Sequence, residues 1–277
     1  MNLFAEVKSV IQTGFSMPSY YRMANHAYVK LYGEPLMLHW PMAGEDDGGI
    51  LDCHKNLTDF CISRLPGVRN RRMLDVGCGN GVQTLYVKEK YQPAMITGVD
   101  IDGGNLAVAH GEIESREIEG VKFFLGDAQD ITCVDDESID CITNIESAFH
   151  YPDKHRFLGE VNRVLEPGGG FVISDICNRM ENGGTGAWLR FLKHYHWTRE
   201  DYVEAFDTAG LTLVAVDNLT EKILHGLSQS INWLKSFRAE DGRSRRIVRY
   251  WGILLYGLEK KLLKSHREYL VFSGKKR

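Results

Sequence analysis

Short apolar runs alternate with amphipathic stretches through the middle of the chain. Five runs predict strands: MLDV, AMITGVDI, VKFFLGD, SIDCITNIE and GFVISDI. Helical patterns separate most of them, and the helix after the fourth strand is predicted to stop at the turn EPGGG. The strand runs are continuously apolar, as is typical of parallel strands buried on both faces. This βαβ rhythm predicts an α/β protein built on a parallel sheet.

The N-terminal part has a different pattern. Residues 1–50 are predicted to be mostly helical, are rich in aromatic residues and Met, and end in the loop GEDDGG. Another helix is predicted at about 52–64, before the basic linker GVRNRR. The aromatic positions of this part are Tyr20, Tyr21, Tyr28, Tyr32, His39 and Trp40. They either pack as the core of a helix on the sheet or form a lid over a ligand, where ring faces would suit a cation.

The pattern after Ile176 is less regular. One helix is predicted at 185–194, and a second one starts at the N-cap Thr198 and stops at Gly210. LTLVAVDNLT and REYLVFSGKK predict two strands, and a helical stretch at about 226–265 between them is broken by the basic sequence GRSRR. Apolar residues at helical spacing in this stretch predict burial, or the wall of an apolar pocket. The basic run GRSRRIVR is interpreted as a solvated face, with contact to an acidic substrate as the alternative.

Composition and charge exclude several classes of protein. The net charge of −4 argues against a protein that binds phosphate backbones without specificity. No apolar run has the length of a membrane span, and the N-terminus lacks the basic-then-apolar order of a signal peptide, so we expect a cytoplasmic protein. The six cysteines form no Cys-x-x-Cys pair and have no zinc spacing. They predict free thiols and no metal site.

A Gly-rich turn carries the first chemical signal. The motif DVGCGNG, residues 75–81, lies between a predicted strand and a predicted helix. Its glycines allow a tight turn and the close approach of a ligand to the backbone. Asp100 ends the next strand, where a carboxylate can accept hydrogen bonds from a ribose diol. The spacing Gly-x-Gly-x-Gly differs from the dinucleotide pattern Gly-x-Gly-x-x-Gly, and an ordinary tight turn that binds nothing is the alternative.

These motifs resemble those of class I S-adenosylmethionine (SAM)-dependent methyltransferases. DVGCGNG is similar to their first motif, VDID to the second and GDAQDI to the third, over residues 70–177 and more loosely over 178–277. The resemblance implies an α/β, Rossmann-like fold with a seven-stranded mixed sheet whose last strand is antiparallel, an N-terminal helical lid and a helical cap insertion. We expect four segments: the lid at 1–65, the SAM-binding core at 66–221, the cap insertion at 222–266 and a final core strand at 267–277. The sequence LHW is similar to an entrance segment of tocopherol- and sterol-type enzymes, in which an N-terminal helix closes over the cofactor.

The resemblance implies roles for the residues of the Gly-rich turn. Gly77, Gly79 and Gly81 would pass under the methionine part and the ribose of SAM. Cys78 lies within the same turn and is assigned to the cofactor site with them. Asp75 would orient the amino group of the methionine part, directly or through water.

The same resemblance assigns residues around the adenosine. Asp100 would bind the ribose hydroxyls, and Ile101 would pack on the adenine. Asp127 and Ala128 would lie at the adenine edge, with the Asp127 carboxylate accepting from the exocyclic amine. Asn144 would line the floor near the methionine. A helix N-cap or a solvated turn is the alternative role for Asp127.

The segment NIESAFHYP, residues 144–152, follows the fourth strand, at the edge of the sheet where ligands of parallel sheets bind. It lacks the Asp/Asn-Pro-Pro-Tyr/Phe motif of nucleic-acid and protein amide methyltransferases. It resembles the Glu-x-x-x-His pattern of natural-product O-methyltransferases, and sterol- and tocopherol-type C-methyltransferases are similar. The pKa of an ordinary histidine suits His150 as a general base, and Glu146 would orient it or bind substrate. Alternatively, His150 caps the helix predicted at 153–165 and Glu146 is a buried structural acid.

The functional expectation combines these signals. We expect methyl transfer from SAM to a hydroxyl oxygen of a small, fairly apolar metabolite of secondary metabolism, with His150 as the general base. The alternative is C-methylation of an alkene or activated carbon in a terpenoid, sterol or quinone-like substrate. A protein of the same fold that binds SAM without methyl transfer is a third option. We expect neither a nucleic-acid partner nor integral membrane association, and the sequence leaves the oligomeric state open, with a homodimer as one option.

Overall fold

The computed structural model describes residues 17–44, 49–180, 194–236 and 243–277. The first sixteen residues of the predicted N-terminal helical pattern lie outside the described residues. Almost the whole helix predicted at 185–194 lies outside them as well. In the described part of the chain, helices and strands have the order expected of an α/β protein.

A single mixed sheet organises the described residues. Its strands are β1 (Arg72–Val76), β2 (Met95–Asp100), β3 (Val121–Leu125), β4 (Ile139–Ile145), β5 (Leu165–Asn178), β6 (Leu211–Asn218) and β7 (Arg267–Lys276). Their order across the sheet is β3-β2-β1-β4-β5-β7-β6. The first five strands are parallel to one another, whereas β7 runs antiparallel to both β5 and β6. This confirms the predicted seven-stranded mixed sheet with an antiparallel last strand.

Helices cover both faces of the sheet. They are α1 (Met17–Tyr32), α2 (Ile50–Ser63), α3 (Val82–Tyr91), α4 (Gly103–Arg116), α5 (Lys154–Val164), α6 (Arg199–Thr208), α7 (Thr220–Ser236) and α8 (Arg243–His266). Apolar residues of α2, α3, α4 and α7 form one core cluster with the sheet, and those of α5 and α6 form another. The two clusters explain why the strand sequences are apolar throughout, since both sides of each central strand are removed from water.

The helix ends follow from local sequence. Thr198 is the N-cap of α6 in a capping box with Asp201, and Gly210 has a left-handed φ of 76° beyond the end of the helix, as predicted. The N-cap of α5 is Asp153, whose side chain accepts a hydrogen bond from the backbone of Arg156. His150 therefore does not cap this helix, and the structural alternative for that residue is wrong.

Two sequence-based boundaries can be compared with the structure, and the first is wrong. The sequence EPGGG is not a turn before the fifth strand, because β5 already pairs with β4 at Leu165 and pairs again from Gly170, and residues 166–169 loop out between these two pairs. The helical stretch predicted at about 226–265 comprises two helices, α7 ending at Ser236 and α8 beginning at Arg243, within the basic sequence GRSRR. Arginine is a good helix former, so a helix can begin inside a basic run.

The strand order creates a switch point between β1 and β4. The chain proceeds from β1 to β2 and β3 on one side, and from β4 to β5 on the other. Ligands of open parallel sheets bind outside the carboxyl ends of the strands at such a point. The Gly-rich turn after β1 and the segment after β4 therefore meet at one edge. None of the described helices combines the length and apolarity needed to cross a membrane.

Candidate active site

A cavity of about 350 Å³ lies at this edge of the sheet. Nine of the residues predicted from sequence line it: Gly77, Cys78, Gly79, Asp100, Ile101, Asp127, Ala128, Glu146 and His150. The other three, Asp75, Gly81 and Asn144, lie behind its walls. The fold thus gathers residues that are far apart in the sequence around one space.

The Gly-rich turn forms the floor beside β1. Gly77 has a left-handed φ of 72°, and a Cβ atom there would collide with the side chain of Ser147 from the segment after β4. The same turn approaches α1 and its following loop, since a Cβ on Gly79 would lie 3.0 Å from Leu38. Gly81 has a different role, because its missing side chain allows Ala109 and Phe123 to pack closely. The turn is therefore a cradle of bare backbone.

Asp100 is held in position at the end of β2. Its Oδ2 accepts a hydrogen bond from the backbone of Gly79 at 2.9 Å, and its Oδ1 accepts one from the backbone of Asp102 at 2.9 Å. Burial raises the pKa of Asp100. The side chain of Asn105 is a third donor to this carboxylate. Because a carboxylate has about four acceptor sites, a site remains for a ligand. This arrangement suits a hydroxyl of a ribose.

Asp75 lies one layer below the cavity. Its carboxylate accepts hydrogen bonds from the side chains of Gln83, Thr84 at 2.6 Å and Thr143 at 3.0 Å. Burial raises the pKa of Asp75 to about 6. Gln83 itself lines the cavity. The predicted effect of Asp75 on the amino group of SAM stays a prediction, and Gln83 is the side chain through which Asp75 reaches the cavity wall.

Asp127 and Asn144 both organise their surroundings. The Asp127 carboxylate accepts hydrogen bonds from the backbone and the side chain of Gln129, at 2.8 Å and 3.0 Å, which closes a tight turn at the cavity wall. The Asn144 amide donates to the carbonyl of Val76 at 2.8 Å and to the hydroxyl of Tyr151 at 3.1 Å. The Oδ1 atom of Asn144 is buried and has no hydrogen-bond partner among the described residues. It is an acceptor available beside the Gly-rich turn.

These features fit SAM. Gly77, whose missing side chain lets Ser147 approach closely, lies at the floor of the cavity, and Asp100 presents a carboxylate acceptor to a ribose. Ile101 is 59% exposed at the cavity wall, an apolar surface that a flat adenine would cover. Bound at this position, SAM would place its methionine end toward the segment after β4.

His150 lies in that segment, in a short 3₁₀ turn from Ala148 to His150. Its Nε2 atom is 2.8 Å from the hydroxyl of Tyr21 on α1. Burial raises the pKa of Tyr21 far above its ordinary value, so the phenol stays protonated near neutral pH. The rings of Phe149 and His194 pack beside His150, with centroids at 4.1 Å and 5.1 Å. The imidazole is thus held by the hydrogen bond with Tyr21 within an aromatic wall.

Glu146 follows β4 directly and has a left-handed φ of 51°, a conformation that is unfavourable for a non-glycine residue. Its Oε1 accepts a hydrogen bond from the backbone of Trp40 at 2.8 Å, and Tyr269 donates another. Burial raises the pKa of Glu146 to about 8. Strain and burial together at one carboxyl group are typical of functional sites.

A second buried carboxyl group lies nearby on α8. The side chain of Trp40 donates a hydrogen bond to Glu259, and burial raises the pKa of Glu259 to about 8. The negative charge of each carboxylate also raises the pKa of Tyr20. Trp40 therefore connects two carboxyl groups, one through its backbone and one through its indole. Sequence reasoning missed Glu259, although an acid among apolar residues at helical spacing was an available signal.

One wall of the cavity comes from the segment before α6. The backbone of Tyr195 donates to the carbonyl of Phe149 at 2.6 Å, and Tyr195 lines the cavity. The buried ammonium of Lys154 on α5 donates to the carbonyl of Tyr195. Burial lowers the pKa of His194, which precedes Tyr195, to about 4. Sequence reasoning did not assign Tyr195 or Lys154 to the site, since neither belongs to a recognisable motif.

α1 contacts the opposite side of the cavity. Asn25 donates to the side chain of Asn105 at 2.9 Å and accepts from Asn80 at 2.7 Å. Together with the contact between Tyr21 and His150, this amide chain joins α1 to the Gly-rich turn, to α4 and to the segment after β4. The aromatic residues near the N-terminus therefore include two, Tyr21 and His39, that line the cavity.

A Gly-rich cradle, an acid for the ribose and a topological switch point together define a SAM-binding protein of the class I type. The family model described as "Methyltransferase domain" matches residues 68–218, and the chain belongs to this family. It is a SAM-dependent methyltransferase.

Three similar proteins illustrate the relationship. The fatty-acid O-methyltransferase of Mycolicibacterium smegmatis is 29% identical over 201 residues, which cover 73% of this chain and 65% of that protein. The methyltransferase GfsG of Streptomyces halstedii is 29% identical over 215 residues, which cover 73% of this chain and 75% of that protein. The crystal structure of the [4+2]-cyclase SpnF is 20% identical, with a TM-score of 0.75 over 95% of this chain and 97% of that one. The last similarity shows a shared fold.

Proposed function

We propose that this enzyme transfers the methyl group of SAM to a hydroxyl oxygen of a small, lipid-like metabolite, with His150 as the general base. The observation that carries the proposal is the position of the imidazole in the wall of the cofactor cavity, hydrogen-bonded to Tyr21 at 2.8 Å. Similarity to a fatty-acid O-methyltransferase supports an oxygen acceptor and an apolar substrate. The aromatic wall around His150 supports the same kind of substrate.

The chain's own residues would prepare the acceptor. SAM supplies an electrophilic methyl group on a sulfonium. His150 would accept the proton of the acceptor hydroxyl, a task for which a histidine has a suitable pKa. Tyr21 would hold the imidazole in orientation, and α1 would keep water out of the cavity. Positioning of the two reactants by the cavity walls would lower the barrier further, by up to roughly 7–11 kcal/mol in well-aligned systems.

The test compares His150→Ala with His155→Ala. His155 is an exposed histidine on α5 and makes a matched control. Labelled SAM is incubated with hydroxylated lipids and with a cell extract, and label is counted in the organic phase. We expect His150→Ala to lose about 10²–10⁴-fold in turnover with nearly unchanged affinity for S-adenosylhomocysteine. The turnover rate of the wild type should rise with pH near neutrality, because a general base must lose its proton to act. This rise should vanish in His150→Ala and persist in His155→Ala. A loss of only a few-fold would contradict His150 as the base.

The pair of carboxyl groups around Trp40 favours a second candidate, C-methylation of an alkene or activated carbon. Glu146 and Glu259 are buried together with Tyr20, Tyr28 and Tyr269. Aromatic faces would stabilise a carbocation, and a carboxyl group ionised above its raised pKa would collect the proton. A labelled product with a new carbon–carbon bond would support this candidate. It would be supported further if Glu146→Gln lowered turnover far more than His150→Ala.

A further inference from the structure

The outer face of α8 is an apolar stripe exposed to solvent. Five residues form it, with exposed fractions between 39% and 63%: Tyr250, Trp251, Leu254, Leu255 and Leu258. Their spacing places them on one side of the helix. Large apolar side chains grouped in this way mark an interaction surface more often than isolated ones do.

The stripe is not needed to hold α8 on the protein. The opposite side of the helix packs through Val248 and Leu263, which are buried, and the hydroxyls of Tyr256 and Tyr28 are 3.4 Å apart. Val248 belongs to an apolar cluster with residues of α1 and α7. The helix is thus anchored by its inner face, and its outer apolar residues are additional.

The charge of α8 differs sharply from that of the whole chain. The helix sequence contains seven Lys and Arg residues and one acid, whereas the chain carries a net charge of −4. The single acid is Glu259, which bonds to Trp40 on the inner side. Arg246, Lys261 and Lys264 are exposed and lie within about 40° of Tyr250 around the helix axis. Positive charge therefore borders the apolar stripe.

This combination favours one type of partner over a second copy of the chain. Two copies meeting through α8 would bring two strongly basic helices together, and like charges would repel. A bilayer with anionic headgroups attracts the same helix, because the basic side chains contact the headgroups while leucines enter the acyl boundary. Tryptophan and tyrosine are the residues enriched at this interface.

We propose that the outer face of α8 binds the surface of an anionic lipid bilayer, with the helix lying in the plane of the membrane. This goes beyond the proposed function, and it would bring the enzyme to the phase in which an apolar acceptor dissolves. Binding to vesicles is measured without SAM or acceptor. A failure of the proposed O-methylation would therefore leave this result standing, and the reverse also holds.

The experiment is flotation of the full chain with vesicles of phosphatidylcholine alone or mixed with an equal part of phosphatidylglycerol. We expect binding to the mixed vesicles, weak binding to phosphatidylcholine alone, and loss of binding at high salt because the attraction of exposed charges is screened. The absence of wild-type binding to the mixed vesicles would overturn the proposal.

Two pairs of variants locate the binding surface. K261Q/K264Q should bind about 25-fold more weakly, since each basic residue near such a surface contributes roughly fivefold. The control K122Q/K222Q removes the same charge from exposed lysines elsewhere. The affinity of W251A/L254A for the mixed vesicles should be lower than that of the wild type by more than about tenfold. The control V203A/V214A, at exposed positions on α6 and β6, should bind like the wild type.

Equal losses in the test and control variants would overturn the location on α8. Sedimentation of the lipid-free protein provides the other decisive outcome. If the wild type forms a dimer that W251A/L254A abolishes, and neither protein binds the mixed vesicles, the stripe is an interface between copies and the proposal fails.

Discussion

Replacing Glu146 by Gln should make the protein more stable and less active. Glutamine keeps the shape of the side chain and can still accept the hydrogen bond from the backbone of Trp40. It has no proton to gain or lose, so it removes the cost of burying a carboxyl group. Glu146 is only 8% exposed, which leaves little water to reduce that cost.

The size of the gain follows from the pKa. Burial raises the pKa of Glu146 from 4.5 to about 8, so near pH 7 the folded protein binds a proton that the unfolded chain does not. Each unit of this difference corresponds to about 1.4 kcal/mol, which makes the cost at pH 7 on the order of 3 kcal/mol. The contribution of Glu146 to stability is greatest below pH 4.5. It is lost progressively as the pH rises from about 4.5 to 8.

The assay is urea unfolding of the wild type and Glu146→Gln at several pH values. We expect the variant to be more stable by up to about 3 kcal/mol at pH 7 and nearly equal to the wild type at pH 4. The control is Glu114→Gln at an exposed position on α4, which should leave the free energy of unfolding unchanged at both pH 7 and pH 4. Methyl transfer by Glu146→Gln should fall. A variant that is no more stable at pH 7, or that gains as much at pH 4, would refute the burial argument.

Three further results are expected. Asp100→Ala should weaken S-adenosylhomocysteine binding by at least about 1.5 kcal/mol in calorimetry, the worth of a charge-assisted hydrogen bond, and unchanged affinity would remove Asp100 from the site. NAD should bind far more weakly than SAM, because the spacing of the Gly-rich turn is not that of a dinucleotide site, and comparable affinities would contradict the cofactor assignment. Lys154→Met should lower the free energy of unfolding, measured by thermal unfolding, by about 3 kcal/mol, because Asp175 loses the positive charge that compensates it inside the protein. An unchanged free energy of unfolding would contradict this, since the apolar packing of Met would then stabilise the protein as well as the ammonium group does.

The central sheet could be predicted from sequence because its signals are local. Each parallel strand is an apolar run, and the Gly-rich turn is a continuous motif of seven residues. The cap at Thr198 and the stop at Gly210 depend on neighbouring residues only. Where the pairing of two strands decides the structure, as at EPGGG between β4 and β5, the sequence pattern failed because it does not contain the register.

The candidate site was predictable only in part for the same reason. Asp100 and His150 belong to segments at the carboxyl ends of strands, so the topology alone brings them together. The contact of Tyr21 with His150 joins residues 129 positions apart. The association of Glu259 with Trp40 requires the way that α8 packs beside the loop after α1. Such pairings follow from tertiary packing, which cannot be predicted from the individual residues.

The mode of attachment of α1 has a consequence for the catalytic cycle. Its C-terminal end packs in the apolar cluster of Leu31, and Gly33 follows it with a left-handed φ of 88°, whereas Tyr21 and Asn25, nearer its start, make hydrogen bonds to His150 and Asn105. Polar contacts exchange with water at little net cost, so we expect the helix to swing open from its first turns about a hinge near Gly33. Release of S-adenosylhomocysteine would then limit the steady-state rate of turnover. A pre-steady-state burst of product and a rate that falls with solvent viscosity would be its kinetic signature.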